Sequence, residues 1–254
     1  MGRVGGTPVS PADRADAFMT TELLSRPPNQ LLASLPAADY RRLLPNFKTI
    51  PLPLKHVLQK PGEPLQRVYF PGGGVICIMH VMTDGQTVEM AAVGNEGLVG
   101  ISACLGGGLQ VAEALVQIPN GSAQALDLDV FQREMDRRGA FRDVIHRYGQ
   151  AYLASLMQSV ACNALHPVEE RLARWLLLAH DRMGRQDFRM TQEVLAGMLG
   201  VRRSTITLAF NALRRAGLID HVSKKIVIKN RAGLEMAACE CYATVKGHFA
   251  RLLS

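Results

Sequence analysis

The chain has 254 residues, 48% of them hydrophobic, with 29 Lys or Arg against 22 Asp or Glu for a formal charge of +7. That length can bury one large core or two modest ones, and two domains is the better expectation. No apolar run approaches the ~18–20 residues of a membrane span, and no compact apolar segment of a signal peptide opens the chain, so a cytoplasmic protein with no membrane partner is expected.

Residues 1–28 are rich in Gly, Pro and Ala with mixed charge and read as a flexible segment. Asn29 to Leu44 reads as one or two short helices broken at Pro36, with Leu31, Leu32, Leu35, Tyr40, Leu43 and Leu44 turned inward. From Phe47 to Leu128 the pattern changes to short β segments punctuated by Gly and Pro. Strands are predicted near Phe47–Leu52, His56–Gln59, Arg67–Phe70, Val75–Val81, Thr87–Val93, Val111–Ile118 and Ala123–Leu126, with a hairpin turn at Thr83–Gln86 whose left-handed residue is Gly85. Such spacing predicts a sandwich, roll or barrel and not a parallel sheet.

Asp129 is expected to cap a helix running to Arg138, and a longer helix follows from Phe141 to Leu165. Ile145, Tyr148, Tyr152, Leu156 and Val160 form an apolar stripe along it, placed to pair with a second copy of the chain. His166-Pro167 breaks it, because the residue before proline disfavours helical geometry. A further helix spans Val168–Met183, and the tail from Arg231 to Ser254 reads as one amphipathic helix.

Met190 to Lys229 carries the functional signal. Thr191 can cap a short helix over Gln192–Leu199, Gly200 supplies the turn, and a second helix begins near Arg202 with Ile206, Phe210 and Leu213 on its buried side. Arg202, Arg203, Ser204, Thr205 and Thr207 lie on its leading face: a helix-turn-helix with groove-reading side chains. The segment after Gly217 reads as two strands around Ser223-Lys224, a wing whose Lys224 and Lys225 would meet phosphate. Between Met190 and Arg231, eight basic residues (Arg202, Arg203, Arg214, Arg215, Lys224, Lys225, Lys229, Arg231) face two acids (Glu193, Asp220), so positive charge concentrates where duplex DNA would sit. Thr191, Gln192, Arg202, Arg203, Ser204, Thr205, Thr207, Lys224 and Lys225 are the expected DNA contacts.

Other chemistries find little support. Cys77, Cys104, Cys162, Cys239 and Cys241 are scattered without a CxxC pair and read as reduced, buried thiols, so no metal and no cofactor is expected. Gly72–Gly74 and Gly106–Gly108 lack the GK[ST] ending of a phosphate loop, and the seven histidines show no HExxH spacing. No catalytic residue is expected.

In this order, PGEP at Pro61–Pro64, VYFPGGGVI at Val68–Ile76, GNEGLVG at Gly94–Gly100, VEERLARWLL at Val168–Leu177 and LGVRRSTIT at Leu199–Thr207 resemble the Crp/Fnr family of bacterial transcription regulators over roughly residues 29–230. The resemblance implies an α+β architecture in four parts. These are the flexible segment 1–28, a cyclic-nucleotide-binding-like, jelly-roll-like double-stranded β-roll over 29–140, a dimerisation helix over 141–165, and a winged helix-turn-helix with a C-terminal helix over 166–254. It implies a homodimer on a near-palindromic operator, with Arg203 as the main base-reading residue. It also implies contact with RNA polymerase through the loop Gly184–Arg189.

Two departures qualify it. Relatives that bind cyclic nucleotides hold the phosphate with an Arg-Ser or Arg-Thr pair, where this chain has Gly106–Leu115 without a cation, and their hydroxyl positions on the long helix fall on Leu156 and Met157. The usual cyclic-AMP site is therefore expected to be missing, and an effector pocket, if kept for some other small molecule, would involve Glu96, Gly97, Leu98, Gln110, Val111 and Leu156. A regulator answering to a cyclic nucleotide or dinucleotide through a rearranged site is the alternative. The iron–sulfur branch is excluded by the absence of cysteine in residues 1–50, and a haem branch would have to use Cys77, His80 or Cys104.

Overall fold

A computed structural model describes residues 27–184, 187–222 and 225–251. Most of the segment expected to be flexible, together with Ser223, Lys224 and two residues of the Gly184–Arg189 loop, lies outside the described residues.

Asn29 opens the described fold. Its side chain caps the short helix α1 (Gln30–Ala33) by accepting from Leu32 N, while its amide donates to Pro71 O at 2.9 Å and Gly97 O at 2.8 Å. Leu31 and Leu32 are thereby fixed in the core, and α2 (Ala37–Leu43) follows Pro36 with Leu43 fully buried. Seven strands come next: β1 (Lys48–Pro51), β2 (Val57–Gln59), β3 (Arg67–Pro71), β4 (Val75–Val81), β5 (Thr87–Val93), β6 (Glu113–Ile118) and β7 (Ser122–Asp127). They form two antiparallel sheets, ordered β1-β7-β3 and β2-β6-β4-β5. Along β6, Ala114, Val116 and Ile118 are buried and alternate with half-buried Glu113, Leu115 and Gln117, as the two-residue period requires. Ile76, Val93, Val99, Ala114, Val116 and Ala123 form an apolar cluster of the roll.

The helix after the roll, α3 (Leu128–Asp136), starts two residues earlier than expected, with Asp127 and not Asp129 at the N-cap position. Asp127 holds the N-cap position but makes no side-chain cap bond, because its carboxylate is bound by Lys48 and Arg67, each at 2.7 Å. Asp129 lies inside the first turn and pairs with Arg133 four residues on. The long helix α4 spans Ala140–Leu165 and ends where His166 turns extended ahead of Pro167. α5 (Val168–Met183) then leads into the C-terminal unit. That unit contains β8 (Asp187–Arg189), α6 (Gln192–Leu199), α7 (Arg203–Arg215), β9 (Ile219–Val222), β10 (Lys225–Ile228), α8 (Arg231–Ala237) and α9 (Cys241–Ala250). The wing is three-stranded, in the order β8-β10-β9. The tail is two helices and not one, interrupted at Ala238–Glu240.

Strand β4 explains how the two halves meet. Val75, Ile76 and Cys77 are all fully buried, which a strand with one wet face could not be. Val75, Cys77, Met79 and Ile118 belong to one continuous apolar cluster with Leu172, Trp175 and Leu176 of α5 and Leu195, Phe210 and Ile226 of the C-terminal unit. The helical unit therefore covers the outer face of the four-stranded sheet. Trp175 Nε1 donates to the Glu89 carboxylate of β5 at 3.1 Å, and Arg182 reaches Glu96 at 2.8 Å, both across this boundary. On the other side of α5, Arg231 pairs with Asp181, whose carboxylate also accepts from Tyr242, so α8 and α9 are fastened to the same helix.

Candidate nucleic-acid interface

Thr191 starts α6 by accepting from Val194 N at 3.3 Å, and Gly200 ends it at φ 64°, a left-handed conformation that costs a residue without Cβ little. The chain turns through Val201 and enters α7 at Arg203, with Arg202 at the N-cap position. Ile206, Ala209, Phe210 and Leu213 are buried, so the orientation of α7 is set by packing. The opposite face is wet: Arg202, Arg203 and Ser204 are exposed, with Thr205 and Thr207 partly so. No side chain caps α7, which leaves amide N–H groups of its first turn to water or an anion.

The expected contact residues thus converge on one surface at the front of α7. Some are already engaged. Thr207 Oγ1 lies 2.8 Å from Gln192 Oε1 and 3.0 Å from Arg203 O, so Gln192 and Thr207 are arranged by each other. Arg203 lies 3.5 Å from Glu193, both side chains about 70% exposed, a pair worth ~0–1 kcal/mol that DNA could displace. Lys225 is bound by Asp187 across the β8–β10 pair, so of the two wing lysines this one has an internal partner. Lys224 lies outside the described residues. Leu208, which is not among the expected contacts, is 69% exposed beside Thr207. An apolar side chain on the wet face of such a helix is suited to a thymine methyl.

The six residues expected around an effector do not meet in one place. Glu96 is taken up by Arg182 and by Gly94 N. A Cβ on Gly97 would lie 2.6 Å from Tyr148 Oη, and Leu98 is buried with its carbonyl accepting from that hydroxyl at 3.1 Å. Val111 is 76% exposed. Leu156 borders a cavity of about 60 Å³ with Tyr152, Trp175 and Phe249. That is room for a few waters and well short of the ~300 Å³ at the low end of ligand sites. Gln110 lies elsewhere, in an outer cleft of about 320 Å³ with Lys60, Glu63, Arg67 and Tyr69, and its buried amide nitrogen has no partner among the described residues. Of the residues a haem would have to use, Cys77 is buried and donates to Glu89, Cys104 is half-buried in a 3-10 helix (Ile101–Leu105), and His80 is exposed on β4.

The expected dimer stripe also needs correction. Ile145 and Tyr148 are 1% exposed, packed inside their own chain with Phe141 and Leu98, and Tyr152 and Leu156 are half-buried. Only Val160 of the five is exposed. The large apolar residues of α4 left exposed are Leu153, Met157, Val160 and Leu165; Leu153 and Met157 lie one position on from the expected Tyr152 and Leu156.

Residues 170–237 match the Crp-like helix-turn-helix domain family. No curated protein matches the chain significantly. Among solved structures, the chain is similar to FixK2 from Bradyrhizobium japonicum, with a TM-score of 0.64 at 15% identity over 76% of this chain and 98% of that one. It is also similar to the c-di-GMP-responsive global regulator CLP of Xanthomonas campestris (TM-score 0.62, 17% identity, 76% and 99% covered). A third is a Crp-family transcriptional regulator of Thermus thermophilus (TM-score 0.60, 20% identity, 75% and 96% covered). At these identities the likeness establishes the fold. The chain therefore carries a Crp-like helix-turn-helix domain, and its fold, with a β-roll ahead of that domain, is similar to that of solved Crp/Fnr-family structures.

Proposed function

We propose that the protein is a dimeric, sequence-specific DNA-binding transcription regulator. The observation that carries this reading is the front of α7, where Arg202, Arg203 and Ser204 stand exposed on a helix whose other face is locked into the core. Rigid placement of arginine and hydroxyl groups is what reading base edges in a major groove needs. Arg203 reads a guanine, Arg202 and Thr205 hold phosphate, and Ser204 and Thr207 supplement base readout. Dimerisation uses the uncovered Leu153, Met157 and Val160 of α4, which presents two α7 helices to half-sites about one helical turn, ~34 Å, apart. RNA polymerase is the expected protein partner, and the protein acts in the cytoplasm without catalysing a reaction. The test is selection from a random duplex library followed by titration at several salt concentrations. A near-palindromic consensus with a steep salt dependence is expected; recovery of no common sequence would overturn the reading.

This reading does without the usual cyclic-AMP site: Gly106–Leu115 offers no cation, and the cavity beside Leu156 is only about 60 Å³. Buried phosphate without charge-assisted bonds is unfavourable. A second reading, a regulator answering to a cyclic nucleotide or dinucleotide through a rearranged site, draws on the outer cleft, where Lys60, Arg67 and the unpartnered Gln110 amide lie together. Arg67 there is already paired with Asp127. Calorimetry with cyclic AMP and cyclic GMP should show nothing tighter than roughly millimolar, about −4 kcal/mol. Micromolar heat from either nucleotide would favour the second reading.

A further inference from the structure

We propose that Cys162, His166, Cys239 and Cys241 form a mononuclear, tetrahedral site for a divalent transition-metal cation, with zinc the cation whose coordination chemistry fits best. Cys162 and His166 are one turn apart at the end of α4, and Cys239 and Cys241 flank the start of α9. The three thiols and one imidazole nitrogen all lie within 4.8 Å of one another. Cys162 and Cys239 Sγ are 3.6 Å apart, and Cys241 Sγ is 3.5 Å from His166 Nδ1. In a tetrahedron with metal–sulfur bonds of ~2.3 Å and metal–nitrogen bonds of ~2.0–2.1 Å, neighbouring ligand atoms are separated by about 3.5–3.8 Å. The Cys162–Cys239 and Cys241–His166 separations fall at that spacing before any ion is placed. A polynuclear iron–sulfur centre spreads its sulfur ligands over different irons and would hold them farther apart.

The surroundings are those of a metal site. His166 offers Nδ1 to the thiols while its Nε2 lies 3.2 Å from Glu240, the carboxylate–histidine arrangement that fixes the tautomer of a metal-binding imidazole. Gln158 Nε2 donates to Cys241 Sγ at 2.9 Å, an N–H bond of the kind that steadies a thiolate. Arg171 and Arg174 are buried nearby, hydrogen-bonded to the neutral oxygens of Leu199 and Ser159, and each retains an Nε without a partner. Three thiolates on a divalent cation leave a net charge of about −1, which supplies those guanidinium groups with a counter-charge. Three protein thiolates and an imidazole complete the coordination, as in a structural site with no open position.

All four ligands lie outside residues 170–237, so the site is an addition to the helix-turn-helix domain and not part of it. It joins the end of the long helix, immediately before the Pro167 break, to the tail. Its effect is to lock α9, and with it Phe249 against Tyr148, onto α4.

The test uses the full chain purified under reducing conditions. Elemental analysis should find stoichiometric zinc that survives dialysis. Exchange with cobalt should give the visible bands of tetrahedral thiolate coordination. Cys239→Ser combined with Cys241→Ser should abolish both, while Cys104→Ser should change neither. Reduced wild-type protein that holds no metal and gives no cobalt bands would overturn the proposal whatever the variants do. So would iron with acid-labile sulfide, or a Cys162–Cys239 disulfide in protein prepared without oxygen. Unchanged cobalt bands in the double variant would show that the ion sits elsewhere.

Discussion

Two residues carry consequences that can be measured singly. Arg203 stands at the front of α7, paired with the exposed Glu193. Arg203→Ala should cost roughly 1–3 kcal/mol per half-site and relax preference at a single base pair. Titration on the selected operator and all its single-base variants checks this, and an unchanged base preference would remove Arg203 from the reading role. Glu89 is different, because its carboxylate is enclosed between Cys77, Trp175 and the charges of Arg182 and Arg174. Burial raises its pKa above the ordinary 4.5, against the opposing hydrogen bonds from Cys77 and Trp175 and the charge of Arg182. A carboxyl raised on folding binds its proton more tightly in the native state. The stability it contributes is fully present below pH 4.5 and is lost as pH rises through the folded value. Glu89→Gln keeps an acceptor for Trp175 and removes that loss. The variant's Tm should therefore fall less than the wild type's as pH rises from 4.5 towards neutrality, with each ~1 kcal/mol regained worth about 2–4 °C. Parallel Tm–pH curves for the two proteins would refute this account.

At the scale of elements, α4 serves two faces at once. Its 26 residues extend about 39 Å at ~1.5 Å per residue. Phe141, Ile145 and Tyr148 belong to the roll's core, while Leu153, Met157 and Val160 have no cover among the described residues. Placing Glu at both 153 and 157 should bury unpaired charge in a seam between two copies, at a cost of several kcal/mol, and leave the monomer folded. Light scattering at micromolar concentration should report a monomer with weakened operator binding. An unchanged dimer mass would locate the seam elsewhere. The wing is also two-purposed: β8 adds a third strand and brings Asp187 to Lys225, so Lys225→Ala should alter wing stability more than phosphate affinity.

For the whole molecule, one apolar cluster runs from the outer face of the four-stranded sheet through α5 into the helix-turn-helix. Such continuity joins the roll and the helix-turn-helix unit through packed side chains, Trp175 among them. The proposed metal site acts at the same scale by fastening the tail. Metal binding shares its free energy with folding. A strong chelator should therefore lower the Tm of the reduced wild type and leave the Cys239→Ser/Cys241→Ser variant unaffected, as differential scanning fluorimetry would record.

Local physics was enough to read much of this protein from sequence. Short β segments punctuated by Gly and Pro gave all seven roll strands, Val75–Val81 and Thr87–Val93 to the residue. Thr191, Gly200 and Gly217 marked the boundaries of the helix-turn-helix, because caps and left-handed turns depend on residues a few positions apart. The exposed face of α7 was legible for the same reason: helical periodicity separates the buried Ile206/Phe210/Leu213 face from the Arg203/Ser204/Thr207 face. Periodicity failed on α4, where two faces are apolar and only the fold decides which one the chain's own roll covers. It could not assemble the effector residues either, since Glu96, Gln110 and Leu156 are taken up by different neighbours. The clearest case is the cysteine cluster. Cys162 and His166 stood four residues apart on a helix, and Cys239 and Cys241 formed a CxC pair, but over seventy residues separate the halves. Their meeting depends on α8 and α9 folding back along α5 through Arg231, Asp181 and Tyr242, a long-range closure that no local pattern encodes.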